Sequence, residues 1–222
     1  MLLAVQLEHL QEEFYRPGFK DDKKMEQAEE FESHLAKDIY LFFHSQEENY
    51  DGDIIRKWII SGDIEALALL YVLLNKKNYF MKIRPHLSFI DYFNLIKNYF
   101  TLCFETDHDH PRIISRYTAG RDLIGWFMSF WNDENIPRKY LEEMKEWLAK
   151  LYKEGDKDIK ECLVTATLEH LFEDLGVLDF FSDWENDPEL KEAYESAKEW
   201  WDYGKSDPKT FSILDLLGHK RK

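Results

Sequence analysis

The stretch that most limits what this chain can fold into is Asp156–Leu175, DKDIKECLVTATLEHLFEDL. Ile159, Leu163, Ala166 and His170 recur at helical spacing on one stripe, while Val164, Leu168, Leu171, Phe172 and Leu175 fill a second. A helix that is apolar around most of its girth cannot lie on a surface, because it needs other helices around it. Asp156 or Asp158 is placed to cap its start, and Gly176 to take the left-handed position just past its end. The expectation is an all-α, single-domain multi-helix bundle with 156–175 as its central post.

The rest of the chain reads in the same period. Met25, Ala28, Phe31, Leu35, Ile39 and Phe42 predict a helix over Asp21–Phe43. A short helix carrying Trp58 follows over Asp53–Ile60, closed by Ser61-Gly62, and Asp63–Asn75 is a very apolar core helix. Pro85 breaks the next segment, and Ser88 with Asp91 three residues on reads as a capping box before Phe89–Phe104. Later come helices over 120–131, from Pro137 to Glu154 with Gly155 as the stop, and from Asp187 through Trp201. Phe180, Phe181 and Trp184 fall in a loop or short turn, and a short apolar end and a basic tail follow Pro208. No strand-like alternation stands out. One domain of about eight to ten helices over 1–222 is expected, at ordinary helix lengths, with its weakest seam at 105–121.

Charge narrows the function. The net charge of −15 argues against a phosphate-backbone binder and against anionic membranes, since both need Lys and Arg at the contact. A basic protein partner suits it better. Aromatics at 16 % exceed what a core of this size needs, so either the packing is unusually ring-rich or some rings serve a surface that meets a partner. Cys103 and Cys162 sit inside apolar helical patterns and read as buried free thiols of a reducing compartment. The first residues lack the basic start of a signal peptide, and no run is long enough to span a bilayer, so a cytoplasmic location is expected.

Three places could carry function. Glu105–His110 is the densest set of metal-capable side chains, with Asp107, His108 and His110 as the candidate ligands, but a solvated acidic loop explains it as well. On the central helix, Thr165, Glu169 and Glu173 share a face with His170 beside them, a candidate acid–base pair or a structural hydrogen-bond network. The order E-H-x-x-E matches neither zinc-protease nor di-iron spacing, and phosphate-loop, dinucleotide and nucleophile-elbow motifs are missing. No cofactor is assigned. The third is a surface: Glu173–Asp202 holds eleven acidic residues against Lys191 and Lys198, interleaved with large rings. Such a face can steer in a basic partner and anchor it on aromatics, and an ordinary solvated helix face with the rings turned inward explains it equally well. Asp183, Trp184, Glu185, Glu189, Glu192 and Trp200 are its predicted contact residues.

Four stretches, SGDIEALALLYVLL (61–74), GRDLIGWFMSFW (120–131), VTATLEHLFED (164–174) and FFSDWENDPEL (180–190), resemble uncharacterised bacterial cytoplasmic helical proteins of the immunity-protein kind. The resemblance implies a binding role and carries no catalytic residue across. The expected function is therefore a non-enzymatic, immunity- or antitoxin-like inhibitor of a basic toxin domain. A metal-dependent enzyme built on 105–110, and an acidic DNA mimic, are the alternatives.

Overall fold

A computed structural model describes residues 31–45, 47–74, 79, 81–106 and 113–200, and the backbone of 201–206. It is an all-α multi-helix architecture. The chain divides into two compact units, Met1–Ile114 and Ser115–Lys222, at a boundary inside the 105–121 seam. Each unit is taken by itself.

The first unit opens with α1 (His34–His44). The predicted Asp21–Phe43 helix is corrected here, because among the described residues 31–33 are not helical. Ser33 stops the pattern: its hydroxyl accepts from the Ala36 amide at 3.1 Å as an N-cap, while its own amide donates to Glu65 at 2.6 Å. A two-residue strand β1 (Tyr50–Asp51) runs into α2 (Gly52–Ile59). Gly62, at φ +72°, turns the chain into α3 (Ile64–Leu74), which is buried on nearly every side and packs against α1 and the helix Phe89–Glu105. A second two-residue strand, β2 (Ile83–Arg84), pairs in parallel with β1, Tyr50 opposite Ile83, a bridge too short for alternation to reveal. A Cβ on Gly52 would stand 2.1 Å from the Pro85 carbonyl, so only glycine fits that crossing. The capping box at Ser88 is present: the Ser88 amide donates to Asp91 at 2.7 Å and starts α4 (Phe89–Glu105).

In the second unit α5 (Arg116–Asn132) is followed by α6 (Arg138–Glu154), capped before and after by Pro137 and Gly155. The inner helix then begins where expected, with the Asp156 carboxylate accepting from the Ile159 amide at 2.8 Å. It is not uniform. After α7 (Lys157–Leu163) it widens into a π-helical stretch, Val164–Leu168, and narrows to a last α-helical turn, α8 (Glu169–Leu171). The widened stretch packs on α5 and on α10 (Lys191–Ser206). Gly120 of α5 sits on it so closely that an added Cβ would lie 2.8 Å from Thr167 Oγ1 and 2.9 Å from Ala166 Cβ. The buried Thr167 hydroxyl donates to the Gly120 carbonyl at 3.2 Å.

The end of the inner helix differs from expectation. It stops at Leu171, and Gly176 does not adopt the left-handed conformation. Asp174 is the reason: its carboxylate accepts from the amides of Gly176 and Val177, which starts a new short helix, α9 (Leu175–Phe180). Leu175, predicted on an apolar stripe, is consequently half exposed. A 3₁₀ turn (Ser182–Asn186) links α9 to α10, and Asp187 caps the approach by accepting from Glu189 and Leu190.

Most of the aromatic excess faces inward. Phe31, Phe43, Tyr99, Phe100 and Phe104 are fully buried in the first unit, as are Phe127, Phe172 and Phe181 in the second. In the second unit Phe127, Phe172 and Trp184 all meet Phe181, with ring centroids between 5.0 and 5.8 Å. The predicted helix face of Trp201, the apolar segment after Pro208 and the basic tail lie outside the residues whose side chains are described. No helix among the described residues is long and apolar enough to cross a membrane.

Candidate functional site

The acidic surface predicted over 173–202 is built from the 3₁₀ turn, α10 and the facing side of α6. Its six residues fall into three groups. Trp184 is withdrawn: it is 3 % exposed and meets Phe181 edge-on at 5.0 Å, so it is a core ring rather than an anchor. Its neighbours Asp183 and Glu185 point outward, because three residues per 3₁₀ turn put Phe181 and Trp184 on the inner side and the residues flanking Trp184 outside.

Asp183 and Glu189 are exposed but already engaged with the chain's own cations. Lys145, buried on α6, donates to the Asp183 carboxylate and, at 2.8 Å, to the Phe180 carbonyl. Its ammonium also lies 4.8 Å above the Phe180 ring. Lys153, two turns on, donates to Asp187 at 2.6 Å and stands 3.6 Å from Glu189. That bond to Lys153, with the Glu189 amide behind it, holds the Asp187 carboxyl below the usual range. Sequence reasoning missed both lysines because they are more than thirty residues from their partners. The signal available was their i, i+8 spacing on the inner edge of an amphipathic helix.

Glu185 and Glu192 remain, both exposed. Glu192 starts the outer stripe of α10, which continues through Glu195 and Glu199 at three- and four-residue steps. Among the described residues only Glu195 of these three makes an ion pair, an exposed one with Lys191 at 3.6 Å. Trp200, 43 % exposed, borders the stripe. Glu185 lies on the other flank, beside Tyr194, whose phenol is pushed up by burial and then by Glu185 and Asp179.

At the end of the inner helix the π-helical widening resets the register of the acid–base candidates. His170 Nδ1 lies 3.1 Å from Glu173 Oε1, and Glu173 is buried. Glu169 stands apart from that pair, its carboxyl pushed up to about 7 by burial against the opposing pull of His170. Thr165 turns away and donates to the Glu161 carbonyl at 2.9 Å. This is an imidazole oriented by a carboxylate, an arrangement that structural networks and acid–base sites share. Asp107, His108 and His110 lie outside the described residues. Among the described residues, no group of three or more His, Cys, Asp and Glu side chains is arranged to hold a metal ion.

Comparison with known proteins finds no matching protein family, no matching curated protein and no matching solved structure.

Proposed function

We propose that this chain is a protein-binding module that takes a basic partner on the outer face of α10, as an immunity- or antitoxin-type inhibitor of a basic toxin domain would. The observation that carries the reading is the stripe Glu192, Glu195 and Glu199 with the half-exposed Trp200 at its edge. Lys145 and Lys153 are spent on Asp183, Asp187 and Glu189 at the base of the face, and Lys191 on Glu195, which leaves Glu192 and Glu199 to an external cation. Carboxylates around a large ring supply both halves of a recognition surface, long-range attraction and a desolvated anchor. The net charge of −15 extends that attraction beyond the contact itself.

The test is a photo-crosslinking side chain at Ser196, which is exposed between the acidic positions. In native lysate it should capture one basic protein. Glu192→Lys with Glu199→Lys should abolish the capture, and the same pair of changes at Glu142 and Glu143 on α6 should not. Capture that survives reversal of the α10 charges removes the assigned face.

A further inference from the structure

Arg116 occupies the first position of α5 and is 8 % exposed. Its Nε is buried without an acceptor among the described residues. Its ion pair with Asp156 is loose, 3.8 Å from Nη2 to Oδ2, beyond hydrogen-bond reach. Buried guanidinium groups are normally held by several hydrogen bonds, because losing water otherwise disfavours the charge. The helix adds to the imbalance. A cation on the first residue of a 17-residue helix adds to the positive end of its dipole, whose first amides have no partners within the helix. The Cys162 thiol stands close enough to feel the Arg116 charge but is held neutral by burial.

A negative group at this point would answer both imbalances, and Asp156 does so incompletely. Its Oδ1 is committed to capping the Ile159 amide at 2.8 Å, and its side chain is 60 % exposed. We propose that Arg116 and the first turn of α5 form a binding site for a small oxyanion, a phosphate or a carboxylate. The planar fork of the guanidinium matches either group, and the Arg116 and Tyr117 amides complete the cradle. The Ser115 hydroxyl already takes the Thr118 amide, which confines the anion to the first two. This site is independent of the α10 face.

The full chain, labelled with ¹⁵N, is titrated with sodium phosphate and separately with sodium acetate at constant ionic strength. The Arg116 Nε–H and the Arg116 and Tyr117 amides are followed. Saturable shifts with either anion, absent in Arg116→Gln, support the site and identify which oxyanion it takes. Asp156→Asn keeps the cap but removes the competing charge, so affinity should rise roughly threefold, the worth of one exposed ion pair. Signals unmoved by both anions, or shifts that persist in Arg116→Gln, overturn the proposal. If Arg116→Gln does not fold, Asp156→Asn decides alone, and unchanged or weaker affinity in it overturns the site.

Discussion

Gly120→Ala sets two effects of similar size against each other, and the structure decides the sign. In an exposed helix interior the change would stabilise by about 1 kcal/mol, the propensity difference between the two residues. Here the new methyl would lie 2.8 Å from Thr167 Oγ1 and 2.9 Å from Ala166 Cβ, both on the inner helix rather than on flexible tips. Overpacking of that kind costs about 1–3 kcal/mol. Parting the helices also breaks the bond from the Thr167 hydroxyl to the Gly120 carbonyl, and Thr167 is wholly buried. An orphaned buried hydroxyl adds about 1–3 kcal/mol. The net is a loss of about 3 kcal/mol after the propensity gain. With a urea slope of roughly 2–3 kcal/mol/M, the midpoint followed by tryptophan fluorescence should fall by roughly 1–1.5 M. Adding Thr167→Ala should recover part of the loss but not all of it, because the Ala166 contact remains. A midpoint that rises in Gly120→Ala would show that α5 does not approach the widened stretch this closely.

Three further outcomes follow from the second unit and the cysteines. Asp183→Asn should cost more than Lys145→Met, about 2 against about 1 kcal/mol, because the first leaves a buried ammonium without its countercharge and the second frees only a carbonyl and an exposed carboxylate; urea midpoints in the opposite order would refute Lys145 as a buried cation. Glu169 keeps its proton up to about pH 7 in the folded chain and only to 4.5 by its ordinary value, so folding is favoured below that window and the contribution is lost as pH rises through it. Glu169→Gln should therefore match the wild type near pH 4 and exceed it at pH 8 by on the order of 1–2 kcal/mol, trimmed by partial exposure; equal stability at pH 8 would remove the burial argument. Cys103 and Cys162 are each 1 % exposed, so neither should react with a thiol reagent until the chain is unfolded, and an immediate burst of even one equivalent would contradict that.

What was legible in the sequence is what local physics settles. Asp156 capped the inner helix because an aspartate three residues before an amide has one good use there. Ser88 and Asp91 formed their box for the same reason. The end of that helix was misread because Gly176 offered a strong stop, while Asp174, two residues earlier, took the same amide to begin α9. The widening at Val164–Leu168 meets Gly120, 47 residues before Thr167 in the chain, and no periodicity announces it. The acidic residues of 173–202 are legible as charge but not as geometry. Which carboxylates are spent depends on where Lys145 and Lys153 arrive, and Trp184 turns inward because Phe181 is there to receive it. Arg116 gave no signal beyond its place before an apolar helix.

The most direct test of the binding account is the association rate between the chain and its crosslinked partner as salt is raised. With Glu185, Glu192 and Glu199 intact, the rate should be fast at low salt and fall steeply as ionic strength increases. Reversing the three charges should slow association by roughly tenfold or more at low salt and flatten the salt dependence, while Trp200→Ala should act mainly on dissociation. A rate that ignores both salt and the charge reversal would contradict the account and place recognition elsewhere on the chain.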